Sequence, residues 1–395
     1  MLIPAGFRMS GVHCGIKQDA SKEDLTLIVT ARPAVAAAVY TENLIVAAPV
    51  VLDRQRTPTD RLRVVVVNSG NANACTGQRG FRDAQEMARL GAQVCGAPAE
   101  QALVMSTGII GHFLPLDKIA QGVRDAAARL GSDPASLLAA ARGITTTDKS
   151  HKVAGRVLTL GGQEVRIVGM AKGAGMIGPR MATMLAIVMT DACLTPAAAQ
   201  DCLRAAADRS FNCISVEGHT STNDTLLLMA SGAPSSPPLE GIERSQFQAA
   251  LEDVCIELAR MIPDDGEGAS HLITIDVRGC ATREDACRIA KTVANSALVK
   301  AGIAGADPNW GRIVSAAGYA GVPFDPSCVS LALNGIPVFQ DGAPVPFDAA
   351  AVSQSIADHR ETRIDLQFGE GDAGIRFWTS DLTVDYVRFN SFYTT

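Results

Sequence analysis

A threonine that opens an apolar run directly behind a glycine-rich turn is the residue of this chain best placed for covalent chemistry. The window 172–192 reads KGAGMIGPRMATMLAIVMTDA, and Thr183 stands where the glycines and Pro179 give way to unbroken apolar sequence. A threonine hydroxyl is a weak nucleophile until a base takes its proton, and an N-terminal threonine carries such a base in its own α-amine. The ordinary pKa of that amine, near ~8, suits general-base work at neutral pH. The amine exists only if the peptide bond before Thr183 is cut. A strained turn and a small preceding residue favour the cut, and Gly173, Gly175, Gly178, Pro179 and Ala182 supply both. The hydroxyl would attack the Ala182 carbonyl in an N-to-O acyl shift and water would finish the break, leaving chains 1–182 and 183–395.

Two other readings compete on the window alone. A threonine at a strand start is commonly just a β-former. The residues Gly173, Gly175 and Gly178 also satisfy G-x-G-x-x-G behind an apolar run, the pattern of a dinucleotide-binding turn. That motif needs a helix to open at its last glycine, whereas Pro179 follows at once and the next run reads as a strand. The nucleotide reading is therefore disfavoured.

The elements that must position Thr183 are legible as alternating patterns. Short β-rich runs recur at 25–29, 64–67, 165–168, 184–189, 225–229, 273–277, 364–368 and 375–379, and helical periodicity marks 83–95, 116–130, 196–209, 246–262 and 283–299. Thr195 before Pro196 reads as a helix N-cap, and Thr282 with Asp285 as a capping pair. Asn334-Gly335 predicts a tight hairpin, since both residues tolerate positive φ. The run SGAPSSPP (231–238) predicts an exposed loop. Strands alternating irregularly with helices predict a layered α+β architecture.

Composition narrows the partners. The 395 residues carry a formal net charge of -6 without a basic cluster, which argues against nucleic acid and anionic membrane and for small-molecule substrates. No apolar run nears the ~20 residues that span a bilayer and the first residues lack a signal pattern, so a cytoplasmic protein is expected. The ten cysteines show no CxxC pair and no zinc-ligand spacing, so neither a metal nor a disulfide framework is expected.

Eight blocks, in order, resemble one known family: VVVNSGNANACTG (65–77), MSTGIIG (105–111), TTTD (145–148), KGAGMIGPRMATML (172–185), SFNCISVEGHTSTNDT (210–225), DGEGA (265–269), GADPNWGRI (305–313) and NSFYTT (390–395). They resemble the ornithine acetyltransferase family, also called glutamate N-acetyltransferases, which work through a self-processed N-terminal threonine. The resemblance implies cleavage between Ala182 and Thr183, an acetyl-enzyme formed at Thr183 from N-acetylornithine, and its discharge onto glutamate, a step of arginine biosynthesis. It implies no cofactor and leaves open whether acetyl-CoA also serves as a donor.

By the same resemblance Thr107 and Gly108 form the oxyanion hole, a hydroxyl and an N–H presented on a glycine turn. Thr146, Lys172, Glu267, Asn390 and Thr395 contact substrate, with the choice among Thr145, Thr146 and Thr147 uncertain by one residue. The implied fold is an αββα-type sandwich, related to β-peptidyl aminopeptidases, with a smaller α/β portion at roughly 240–345 and a substrate-contacting C-terminal tail. The implied assembly is a heterotetramer of two α (1–182) and two β (183–395) chains. Gly178-Pro179-Arg180 stands where the family has Ala-Pro-Asn, and Glu217-Gly218-His219 where it has Asp-Gly-Asp. If Arg180 or His219 faced the pocket, the preferred substrates would shift, so a paralogous acyltransferase or amidase with other amine substrates is the alternative.

Overall fold

Aliphatic and β-branched runs before residue 231 assemble into one sheet, and those after 271, joined by the two-residue strand at 214–215, into a second. The computed structural model describes residues 3–178, 184–232 and 236–392. Along the described chain the strands are β1 (Phe7–Val12), β2 (Leu25–Tyr40), β3 (Thr59–Asn71), β4 (Ala102–Ile109), β5 (Lys152–Leu160), β6 (Gln163–Lys172), β7 (Leu185–Thr190), β8 (Ile214–Ser215) and β9 (Thr225–Ala230), followed by β10 (Leu272–Cys280), β11 (Ser330–Leu333), β12 (Ile336–Gln340), β13 (Ala343–Pro344), β14 (Glu361–Gln367) and β15 (Ala373–Ser380).

The first sheet has the order β4-β3-β2-β9-β7-β6-β5, with β1 paired to β2; the second has the order β13-β12-β11-β14-β10-β15-β8. In the first sheet β7 lies between β6, its antiparallel neighbour, and β9, its parallel one. All six residues of β7 are buried, because both faces of this part of the sheet are covered, and a strand covered on both faces loses the polar alternation of a half-exposed one. Ala186 and Val188 join a core shared with the helices Pro196–Arg209 and Gly241–Asp264 and with the second sheet. Leu185, Ile187 and Met189 face the other way, into a cluster that includes Phe7, Val65 and Leu137. The architecture is a layered α+β sandwich in which Gly241–Asp264 packs on β5 and β6 and also on β15.

Local signals behave as their chemistry dictates. The Thr195 hydroxyl accepts from Ala198 N–H, the Thr282 hydroxyl accepts from Asp285 N–H, and Asn334 and Gly335 turn the β11–β12 hairpin at φ of 48° and 82°. One expectation fails: the single helix read across 283–299 is two helices, Arg283–Ala294 and Ala297–Ala304. The apolar periodicity runs through, but Asn295 closes the first helix and the Ser296 hydroxyl caps the second by accepting from Val299 N–H. Among the described residues no helix is long and apolar enough to cross a membrane.

Because Ile187 is fully buried in a strand with neighbours on both sides, Ile187→Ala is expected to destabilise the fold by about 2–5 kcal/mol. The check is a lowered denaturant midpoint with an unchanged slope.

Candidate active site

The connection from β6 to β7 holds the window singled out by the sequence, and it is tied down from both ends. Lys172 and Leu185 are opposite each other in the β6–β7 pair. Gly173 N–H donates to Asp148 Oδ1 (2.7 Å) and Ile177 N–H to Glu217 Oε1 (2.6 Å). The Ile177 carbonyl accepts from Val216 N–H and Gly218 N–H, each at 2.9 Å. On the far side Met184 N–H donates to Asp224 Oδ1 (3.0 Å) and its carbonyl accepts from Thr225 N–H (3.1 Å). Arg180, Ala182, Thr183 and Thr395 lie outside the described residues.

Beside this connection is a cavity of about 90 Å³ whose wall includes Thr107, Gly108, Thr146, Lys172, Glu267 and Asn390. All the described residues that the sequence proposed for the site are therefore brought together, from four separate stretches of chain and the C-terminal helix Val384–Phe392. A larger cavity of about 360 Å³ opens at the opposite end of β7, among Ala5, Arg32, Asp191 and Cys193. Its Asp191 is already committed to the N–H groups of Ala5 and Arg166, and none of the described residues that the sequence proposed for the site lines it.

Thr107 and Gly108 lie on the last residues of β4, not on the glycine turn expected from sequence. There β3 and β4 slip register, with Asn71 opposite both Thr107 and Ile109. Gly108 has φ +129°, and a Cβ at that position would come within 2.3 Å of the Gly70 carbonyl carbon, so only glycine lets the two strands approach here. Thr107 is buried, yet no described residue accepts from its hydroxyl.

Lys172 ends β6 with 1% of its surface exposed, and no described residue accepts a hydrogen bond from its ammonium. Burial pushes its pKa down, while Asp148 and Asp224 oppose that shift. Asp148 accepts from the N–H groups of Thr146 (3.0 Å) and Gly173 and from Lys152 Nζ (2.6 Å), and Lys152 also reaches Asp265 (2.7 Å). Burial disfavours the Asp148 anion, but Lys152 and Lys172 outweigh burial and hold its pKa below the ordinary carboxylate range. Asp224 is different: burial raises its pKa well above that range despite Lys172 and the Met184 N–H.

Glu267 sits in the turn after Gly241–Asp264, where its N–H donates to the Ala174 carbonyl (2.9 Å). Its two carboxyl oxygens accept from the Thr147 hydroxyl (2.6 Å) and from Asn390 Nδ2 (3.0 Å). Gly175 passes so close that a Cβ would lie 2.4 Å from Glu267 Oε2. Thr146 and Thr147 both line the cavity, but it is Thr147 whose hydroxyl is spent on Glu267.

Sequence reasoning missed Ala72, Ile110, Met176, Ser221, Thr222 and Asn223, which complete much of the wall. The usable signal was the density of small polar residues beside apolar runs at 68–76 and 220–225. His219 is exposed and is not on the wall. Chemically, the cavity wall combines a hydroxyl and a strand-end glycine with an ammonium and a carboxylate. That arrangement suits a small substrate bearing both an acyl group and the charges of an amino acid.

These features define a layered α+β enzyme with a small polar pocket at the end of a central strand. The ArgJ family profile matches residues 8–395. The arginine biosynthesis bifunctional protein ArgJ of Rhodopirellula baltica is 49% identical over 397 aligned positions, covering 100% of this chain and 97% of that protein. Its namesake from Symbiobacterium thermophilum is 48% identical, covering 99% and 98%. The crystal structure of arginine biosynthesis bifunctional protein ArgJ from Bacillus halodurans matches with 36% identity and a TM-score of 0.51, over 52% of this chain and 98% of that one. The chain belongs to the ArgJ family, which is the ornithine acetyltransferase and glutamate N-acetyltransferase family of arginine biosynthesis that its sequence blocks resemble.

Glu217, whose Oε1 holds Ile177, provides a titration test of this geometry. Burial pushes its carboxyl from 4.5 up to about 8, against the Ile177 N–H and with help from Glu267. The folded chain thus keeps a proton that the unfolded chain releases, so the stability linked to Glu217 is full below about pH 4.5 and is lost as pH rises through about 8. Replacing it by Gln removes this slope. Melting temperatures of wild type and Glu217→Gln should therefore diverge in favour of the variant from about pH 5 to about pH 9, and parallel profiles would contradict the assignment.

Proposed function

We propose that the chain cuts itself between Ala182 and Thr183 and then carries an acetyl group from N-acetylornithine to glutamate on the Thr183 hydroxyl. The observation that carries this reading is the single cavity that gathers Thr107, Gly108, Lys172, Glu267 and Asn390 beside the peptide anchored at Met184. In the cut, the Thr183 oxygen bonds to the Ala182 carbonyl carbon, the C–N bond breaks to free the amine, and water hydrolyses the resulting ester. The B. halodurans chain aligns over nearly its whole length yet covers about half of this one, as expected if that chain is one of two processed pieces.

In the transfer, the amine of Thr183 takes the hydroxyl proton as the oxygen attacks the acetyl carbonyl. The amide C–N bond then breaks, and the proton passes to the departing ornithine. The α-amine of glutamate attacks the acetyl ester and restores the hydroxyl. Both tetrahedral intermediates carry an oxyanion, for which the Thr107 hydroxyl and the Gly108 N–H are the donors. Lys172 pairs with a substrate carboxylate, because its buried ammonium has no other described acceptor. Glu267 receives a substrate ammonium, with Thr146, Asn390 and Thr395 as neighbouring contacts. Nucleophile, base and donors all belong to the chain, so the transfer needs no cofactor; acetyl-CoA as an additional donor is a separate question for assay.

The pieces 1–182 and 183–395 would stay together after the cut, because the first sheet interleaves them: β7 pairs with β6, and β9 with β2. The expected assembly is two α and two β chains in the cytoplasm.

On a denaturing gel the 41.2 kDa chain is expected as fragments of about 19 and 22 kDa, the larger beginning at Thr183. Thr183→Ala is expected to remain one chain and to transfer no acetyl group, and an uncut wild type would sink the scheme. Thr107→Ala should lower kcat about 10²–10³-fold, the usual loss for one oxyanion donor. Lys172→Met should chiefly raise KM, read in an assay of N-acetylornithine with glutamate.

A further inference from the structure

The sheet by itself does not bring the proposed oxyanion donors to the nucleophile. Thr107 and Gly108 end β4, residue 183 precedes β7, and β3, β2 and β9 lie between those strands. At the usual spacing this is roughly 19 Å along the sheet. What spans the gap is the short segment 221–224 leading into β9, and it grips both sides.

Asn223 holds the β4 side. Its Nδ2 donates to the Ser106 carbonyl (2.8 Å) and to the Ala72 carbonyl (2.7 Å). The Ser106 carbonyl belongs to the peptide whose N–H is that of Thr107. Ala72 in turn donates its own N–H to the Ile109 carbonyl (2.9 Å), so Asn223 reaches one side of Gly108 directly, at Ser106, and the other through Ala72. The Thr222 hydroxyl donates to Asn223 Oδ1 (2.5 Å), which sets the amide orientation: the flipped amide would aim an oxygen at two carbonyl oxygens. Asp224, the next residue, holds the other side through Met184 N–H. The segment is braced in turn by the Thr41 hydroxyl on the Ser221 carbonyl (2.6 Å) and by Ala47 N–H on the Thr222 carbonyl (2.9 Å).

We propose that Asn223 is a positioning residue for acyl transfer: its amide fixes the Ser106 carbonyl directly and the Ile109 carbonyl through Ala72, and so aims the Thr107 and Gly108 donors at an acyl group held on residue 183. This rests on the acetyl-transfer reading above. Asn223 is 5% exposed, and nothing apolar of its shape could satisfy both carbonyls, so its loss leaves two buried acceptors free to move. A misplacement of about 1 Å at such a site costs on the order of 10²-fold in rate.

The test is a double-mutant cycle of Asn223→Ala with Thr107→Ala in the acetyl-transfer assay. Asn223→Asp, isosteric but without the donors, runs alongside should the alanine variant fail to fold. Asn223→Ala alone should lower kcat about 10²-fold with KM within about twofold, since Lys172 and Glu267 are untouched. In the Thr107→Ala background the further loss should shrink to about tenfold, because one of the two donors it positions is gone while the Gly108 N–H remains. Losses that multiply, or a change in KM alone, overturn the proposal. Hydrogen exchange gives a readout independent of catalysis: amides 106–109 should exchange about tenfold faster in the variant while β7 is unchanged, and unaltered exchange there also overturns it. A wild type that transfers nothing, yet whose variant shows this local exchange, would sink the acetyl-transfer reading and leave the positioning contact standing.

Discussion

Lys172 is a charge without water around it, and much of the site is arranged to make that tolerable. An ammonium with 1% of its surface exposed is costly unless opposite charges stand near. The Asp148 anion provides that charge, and Asp148 and the neighbouring Asp224 are each tied to backbone that the site needs. Asp148 holds the N–H groups of Thr146 and Gly173, and Asp224 holds that of Met184. The carboxylate that compensates the buried cation thereby fixes a cavity-lining threonine and the first end of the connection that contains Thr183, and Asp224 fixes the second. Lys152 and Asp265 extend the same network to the turn carrying Glu267.

The buried strand β7 supplies rigidity of another kind. With β6 and β9 bonded to its edges and apolar layers on both faces, it cannot shift register by one residue without forcing Leu185, Ile187 and Met189 into the packing made for Ala186 and Val188. Residues just before it therefore start from a fixed point, while 173–178 are held separately through Asp148, Glu217 and the 216–218 backbone. A nucleophile generated between two such anchors would need little ordering at the moment of reaction, which is the entropic advantage of a preorganised site.

Legibility differed with the range of the interaction. Helix caps at Thr195 and Thr282 and the Asn334-Gly335 hairpin were readable because a side chain and backbone a few residues apart decide them. The boundary at Asn295 and Ser296 was missed because the apolar periodicity continues across it and only the cap marks the break. Thr107 and Gly108 were expected on a glycine turn, since Gly108 looks like a turn residue in sequence, yet both lie in β4. The glycine is needed instead because Gly70, on the neighbouring strand, leaves no space for a Cβ.

By itself the sequence determined the family, through eight ordered blocks, and with it the candidate residues and an apolar strand behind Thr183. Composition and periodicity added the layered α+β class. Only the tertiary structure decided that Thr147, rather than Thr146, spends its hydroxyl on Glu267, that His219 is exposed off the cavity wall, and that Asn223 and Asp224 together join two strand ends separated by three others. Those outcomes depend on which distant carbonyls, carboxylates and backbones meet once the sheets close. Contacts of that kind, between residues as far as 151 positions apart in the case of Asn223 and Ala72, leave no periodic trace in a chain read one window at a time.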